Sequence, residues 1–460
     1  MDNVNYKVVR TLRCRNANIP GTLGKLAVTI GQIGAEIGNI VTVHLGHHFT
    51  IRDIDVLVDS EGHLAELIAK VSRLRDVSVL EVRDDVLELH KHGIIKMANS
   101  IQINSLDTLQ KIYTPGVAEV CQLIASQPHW KDTYTSIPNF IAIVTDGTAV
   151  LGLGNIGPVA GMPVMEAKAA LLYQLSGISG IPILLNTTDA DEIIQTVKNI
   201  APTFAGIHLE DIASPRCFTI EETLAGDLSI PVMHDDQRGT AVVTLAALIN
   251  ACQRTKLSLE EARIGIIGLG TAGFAIARFL RQYVGRPALG TDKIEANVRR
   301  YVEHGGIPSS LDEIMKKADI VIAVTAVNGL ISPSMIKKGQ IIFALSNPYP
   351  EIAPGAAVAA GAAMAADGKT VNNLLAYPGT WRGTLDAKAK KINFEMYRAA
   401  SLAIAGTTAE GELVPNSLDP RMHLAVTHAV ARAAIESGVA GRSLDDDYFE
   451  DTNIRNYVEW

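Results

Sequence analysis

Apolar positions recur along the first ninety residues with two different periods. Tyr6, Val8, Leu12 and Cys14 share one side of a two-residue alternation, which predicts a half-buried strand. A break at Asn18-Ile-Pro-Gly-Thr22 then opens a helix with Leu23, Leu26, Ile30 and Ile33 along one side. Strands are predicted at 40–45 and 49–58, and a helix carries Leu64, Leu67, Ile68, Val71 and Leu74 at three-and-four spacing. A last strand covers 77–82, and the polar segment 83–92 reads as an exit helix and linker. The order βαββαβ is that of a ferredoxin-like α+β sheet.

Beyond Lys96 the pattern changes. Phe140-Ile-Ala-Ile-Val144 and Ile181-Pro-Ile-Leu-Leu185 are continuous apolar runs bounded by turn residues and separated by helical periodicity. Strands buried on both faces read this way, so 91–255 is predicted as an α/β unit with a parallel sheet. A second α/β unit opens with Arg263-Ile-Gly-Ile-Ile267, and the tail is helical, with an apolar stripe at Ala425, Val426, Ala429 and Val430. The Ala-rich stretch 353–366 reads as a closely packed helix or loop. The predicted domains are 1–90, 91–255 and 256–460, a division that 460 residues make necessary for core packing.

Composition then narrows the function classes. With 47% hydrophobic and 20% charged residues, the chain is a packed globular protein. A net charge of −8 without a basic run argues against nucleic acid or a membrane surface as partner. Cys14, Cys121, Cys217 and Cys252 lie too far apart for a disulfide framework or a zinc knuckle. The amino terminus lacks the apolar core of a signal peptide, and the longest uncharged stretch, 147–165, is broken by glycine and proline. The expectation is a cytoplasmic protein.

Two glycine-rich segments follow the GxGxxG spacing. Gly268-Leu-Gly-Thr-Ala-Gly273 lies between a predicted strand at 263–267 and a predicted helix at 274–283, the context of a Rossmann-type dinucleotide site. Gly268, Gly270, Thr271, Ala272 and Gly273 are predicted to hold the pyrophosphate at the helix N-terminus. A strand at 287–291 ends at Asp292, placed to accept the ribose hydroxyls, which favours NAD; Lys293, Arg299 and Arg300 leave NADP open. The other copy, Gly152-Leu-Gly-Asn-Ile-Gly157, is followed by Pro158 instead of a helix former, and reads as a loop shaping a substrate pocket near Lys168. Separately, Ile19-Pro-Gly-Thr-Leu-Gly-Lys-Leu-Ala27, set after the first strand of the βαββαβ order, resembles an ACT domain. That resemblance implies a regulatory module with a small effector such as an amino acid.

Ile207-His-Leu-Glu210-Asp211 and Pro231-Val-Met-His-Asp235-Asp236 each run apolar into an acidic pair. Ligands of α/β sheets bind beyond the carboxyl ends of strands, so these acids are predicted to share a crevice. Oxygen donors without cysteine or histidine suit Mg²⁺ or Mn²⁺.

Seven motifs occur in one order: Tyr113-Thr-Pro-Gly-Val-Ala118, the segment 144–157, Pro163-Val-Met-Glu-Ala-Lys168, Leu209-Glu-Asp-Ile-Ala213, His234-Asp-Asp-Gln-Arg-Gly-Thr-Ala241, Ala344-Leu-Ser-Asn-Pro348 and Val371-Asn-Asn373. The series resembles that of the malic enzymes over about 96–438, with an ACT-like domain in front. The resemblance implies oxidative decarboxylation of malate to pyruvate and CO₂ with reduction of NAD, dependence on a divalent metal, and a homo-oligomer. By motif it gives Tyr113 as general acid, Lys168 as general base and Asp235 as the acid that orients the lysine. Glu210, Asp211 and Asp236 match the metal ligands, and Asn347 and Asn373 match the asparagines that hold the substrate carboxylate. Ala167 replaces a glycine usual before the lysine, and Arg238 stands where bacterial relatives often carry histidine. A lysine with a reference pKa of about 10.4 must be depressed by burial or by the cation to act as a base. A malolactic enzyme with bound NAD and an ACT-regulated amino-acid dehydrogenase are the alternatives.

Overall fold

The computed structural model describes residues 8–150 and 153–451, so Tyr6 of the first predicted strand and Gly152 of the first glycine-rich copy lie outside the described residues. The chain forms two compact units, Met1–Lys96 and Met97–Trp460.

In the first unit, β1 (Val8–Ala17), β2 (Glu36–Leu45), β3 (Phe49–Val58) and β4 (Val77–Arg83) make an antiparallel sheet in the order β2-β3-β1-β4. Helices Thr22–Gln32 and Glu61–Val71 complete the βαββαβ order. Leu12 and Cys14 join Leu26, Ile30, Leu64, Leu67 and Val71 in one buried cluster. Arg13, one step along the alternation, pairs instead with Asp53 at 2.8 Å. Asn16 and Thr50 face each other in the β1–β3 register, buried, and their side-chain polar atoms have no hydrogen-bond partner among the described residues.

The second unit holds two parallel sheets. β5 (Phe140–Thr145), β6 (Ser179–Leu184), β7 (Gly206–Leu209) and β8 (Val232–His234) are ordered β6-β5-β7-β8. β9 (Ile264–Ile267), β10 (Leu289–Thr291), β11 (Ile307–Pro308), β12 (Ile320–Ala323), β13 (Ile341–Ala344) and β14 (Met364–Asp367) are ordered β11-β10-β9-β12-β13-β14. Counted within this sheet the order is 3-2-1-4-5-6, the doubly wound arrangement that binds dinucleotides. Its inner strands are continuous β-branched and apolar runs, as burial on both faces requires.

Two expectations need correction. The Ala-rich stretch splits into helix Pro354–Ala359 and strand β14, because pairing along β13 overrides the weak strand preference of Met-Ala-Ala-Asp. The loop before Pro158 does lead into a helix, Pro158–Ser176, with proline in its first turn, where the missing N–H costs nothing.

The helices after the six-stranded sheet return to the four-stranded one. Tyr377–Asp386 packs on Pro158–Ser176, and Phe394–Gly406 packs on Asp235–Thr255. Gly206 lets helix Tyr377–Asp386 lie close to β7: a Cβ there would come 2.5 Å from the Trp381 ring. No helix among the described residues is long and apolar enough to cross a membrane.

Candidate active site

Because β7 and β8 are parallel neighbours, their carboxyl ends bring the two acidic pairs together. Asp235 and Asp236 form the first turn of helix Asp235–Thr255, where the helix dipole favours negative charge. Asp211 adopts a left-handed backbone, φ +54°, a conformation aspartate tolerates better than most residues. Its N–H then donates to Asp236 Oδ2 at 2.9 Å. Glu210, Asp211 and Asp236 offer oxygens that all lie within 4.8 Å of one another.

Lys168 enters from helix Pro158–Ser176. Its Nζ lies 2.7 Å from Asp235 Oδ2 and 2.8 Å from Glu210 Oε1, and 4.4 Å from the centre of the Tyr377 ring. Asn373 Nδ2 donates to the same Asp235 oxygen at 2.7 Å. Gly239 lies one helical turn beyond Asp235, and a Cβ there would come 2.0 Å from Asp235 Oδ1. Arg238 pairs with buried Glu221 at 2.8 Å, so its charge is balanced there. Glu221 also accepts from the His234 N–H at 3.0 Å, tying down the junction of β8 and the helix.

Burial favours the neutral form of Lys168, but the charges of Asp235 and Glu210 outweigh it and hold the ammonium well above the ordinary lysine range. Burial alone therefore does not depress the lysine, since two carboxylates lie within 2.8 Å of the nitrogen. Burial also pushes the Asp235 and Asp236 carboxyls upward, and the Glu210 charge adds to both shifts. Burial moves His208 the other way, to about 3, leaving it neutral. Four carboxylates thus face one ammonium. Buried charge requires a partner, and the oxygen-only donor set of Glu210, Asp211 and Asp236 fits a hard divalent cation.

At the end of β9 the chain presents backbone instead. Gly268 has φ +92°, and a Cβ there would come 2.5 Å from the Val324 carbonyl oxygen. A Cβ on Gly273 would come 1.8 Å from the Gly268 carbonyl oxygen, whereas nothing lies within 4 Å of one on Gly270. The first and third glycines close the turn, the second leaves an open face, and Thr271 and Ala272 begin helix Thr271–Val284. Asp292 follows β10 and accepts from the Leu269 N–H at 2.7 Å, beside that loop.

Residues 93–225 match the malic enzyme N-terminal domain, and residues 237–314 match the malic enzyme NAD binding domain. NAD-dependent malic enzyme 1 of Bacillus subtilis is 53% identical over 430 residues, which cover 93% of this chain and 98% of that one. The chain belongs to the malic enzyme family. A bifunctional malic/malolactic enzyme of the same organism is 41% identical over 398 residues, 80% of this chain and 97% of the relative. The crystal structure of malic enzyme from Pyrococcus horikoshii aligns with a TM-score of 0.76 at 37% identity, covering 82% of this chain and 95% of that one.

In this malic enzyme the fold brings together Lys168, Glu210, Asp211, Asp235, Asp236 and Asn373. Tyr113 stays apart: it follows helix Leu106–Ile112, is 67% exposed, and has no contact with the cluster among the described residues. Asn347 lies in an exposed loop after β13 and is likewise not joined to the cluster among the described residues. Sequence reasoning missed His208, Tyr377 and Trp381. His208 was within reach of it, since residues two apart on a strand share a side and Glu210 is two residues on.

Proposed function

We propose that the protein oxidises and decarboxylates malate to pyruvate and CO₂ with reduction of NAD, using Mg²⁺ or Mn²⁺ held by Glu210, Asp211 and Asp236. The convergence of these three carboxylates, Glu210 and Asp211 buried and Asp236 half-buried, with Lys168 carries the reading, in a chain 53% identical to an NAD-dependent malic enzyme. When bound, the cation supplies positive charge opposite the negative charge that grows on the substrate oxygen at C2. Gly268, Gly270, Thr271, Ala272 and Gly273 would hold the phosphates of NAD and Asp292 its ribose, and NAD would supply the hydride acceptor for C2.

Lys168 takes the hydroxyl proton, and Asp235, with Asn373 bonded to it, orients the amine. Lys168 shares Glu210 with the ligand set, so engaging Glu210 in ligation withdraws one of the two charges that hold the lysine proton. Asn347 and Asn373 bind a substrate carboxylate. Tyr113 donates the proton to C3, and reaches a site within a homo-oligomer. The exposed apolar side chains of Met97, Ile103 and Leu106 in the same region support that assembly.

The organisation is an ACT-like regulatory domain at 1–90, a substrate and metal domain at 91–255 and a Rossmann domain with helical tail at 256–460. The βαββαβ order and the unpartnered Asn16 and Thr50 support an amino-acid effector on the first domain. Four free cysteines support a cytoplasmic location. Conversion of malate to lactate is the second reading, supported by the 41% identity to the bifunctional relative.

The test is an assay of malate with NAD and NADP in parallel, with and without Mn²⁺; steady release of NADH separates the first reading from the second. Asp236→Asn keeps the shape and removes one ligand charge. It is expected to lose malate oxidation and oxaloacetate decarboxylation together. Loss of malate oxidation alone would overturn the metal assignment.

A further inference from the structure

Trp381 Nε1 lies 2.9 Å from His208 Nδ1, and His208 Nε2 lies 2.8 Å from Glu210 Oε2. All three side chains are buried. An indole N–H can only donate, so His208 Nδ1 must accept, and the imidazole proton must sit on Nε2, facing the carboxylate. Hydrogen-bond direction alone therefore fixes the tautomer.

We propose that Trp381 and His208 form a positioning relay that aims the Glu210 carboxylate for the divalent cation. The inference rests on the metal reading given above. The two oxygens of Glu210 are divided between neighbours, Oε1 toward Lys168 and Oε2 toward His208. The last torsion of a glutamate is soft, so a carboxylate without such a donor samples a broad range of orientations. Donors behind metal-ligating groups remove that freedom.

The relay is itself held in place. The Trp381 ring occupies the space that a side chain at Gly206 would take, directly on β7. Tyr377, one turn earlier on the same helix, stands edge-on to the His208 ring at 5.8 Å and also lies against the Lys168 ammonium at 4.4 Å. One face of helix Tyr377–Asp386 thus backs both the lysine and the ligand carboxylate. An apolar residue at 208 would leave the Trp381 N–H and Glu210 Oε2 without this partner in the interior.

Mn²⁺ binding to the full chain, followed through the electron paramagnetic resonance signal of the free ion, tests the relay without relying on turnover. His208→Leu removes the donor, whereas His208→Gln places an amide N–H near the position of Nε2. Trp381→Phe keeps the ring body and removes the N–H that fixes the tautomer. The expected result is an affinity loss of about 10- to 100-fold for His208→Leu, recovery to within about threefold for His208→Gln, and an intermediate loss for Trp381→Phe. Wild-type affinity in His208→Leu, or equal weakness in Leu and Gln variants, overturns the relay; wild-type affinity in Trp381→Phe removes Trp381 from it. If His208→Leu does not fold, the relay requires His208→Gln to bind Mn²⁺ more tightly than Trp381→Phe, and the reverse order overturns it. A parent protein that binds no Mn²⁺ overturns the metal reading instead.

Discussion

At the ends of β7 and β8 the four-stranded sheet presents side chains: four carboxylates and, from the facing helix, an ammonium. At the end of β9 the six-stranded sheet presents main chain, with glycines where a single carbon would collide with a neighbouring carbonyl. Both loops follow a parallel strand and both lead into a helix, so the local architecture is the same. The difference is what mutation can remove. In the first site the chemistry lies in the charge of each side chain. In the second it lies in the absence of one.

Three experiments separate the two. The largest effect is expected from Lys168→Ala, which should lower turnover about 10²–10⁴-fold, the usual contribution of a general base. NAD affinity measured by fluorescence titration should stay near the parent value, and turnover within about threefold of the parent would refute the assignment. Next comes Gly273→Ala, whose methyl would sit 1.8 Å from the Gly268 carbonyl oxygen. It should weaken NAD by more than about tenfold while Mn²⁺ affinity holds, and Gly270→Ala, whose methyl would stand on the face left open for the pyrophosphate, should weaken NAD with the turn itself intact. Parent-like NAD affinity in Gly273→Ala would show that closure of the turn does not set the requirement for glycine.

The smallest effect concerns pH. Lys168, Asp235 and Asp236 are each held above their ordinary values by the groups around them. A cation arriving there competes with those protons, so Mn²⁺ affinity should rise with pH, by at most about tenfold per pH unit for each proton released. Calorimetry in two buffers of different ionisation enthalpy counts those protons. A pH-independent affinity would show that the carboxylates are already ionised before the metal binds.

What the sequence discloses follows the range of the interaction. The glycine turn after β9 was legible because its signal is local: glycines at fixed spacing, an apolar strand before them, a helix after them and Asp292 one strand on. The acidic pairs were legible for the same reason, each closing an apolar run. β14 was not, since Met364-Ala-Ala-Asp367 has no strand signal of its own and is recruited by the edge of β13. The ion pairs of Lys168 were not legible, because they depend on distances to Glu210 and Asp235, which come from two other segments of chain. Tyr377 and Trp381 carry no local mark either. Their helix matters only because β7 has a glycine at 206 for the indole to lie against. Tyr113 and Asn347 show the opposite case, residues singled out by motif that the fold of one chain does not bring to the cluster.

The contact between Gly239 and Asp235 bears on how such enzymes are lost. A methyl at 239 would sit 2.0 Å from a carboxylate oxygen whose partner atom is already engaged by Lys168 and Asn373. Glycine to alanine is a single-nucleotide change, and it leaves every ligand and the lysine unaltered in the sequence. The site thus has a one-step route to failure that an inventory of reacting groups would not detect.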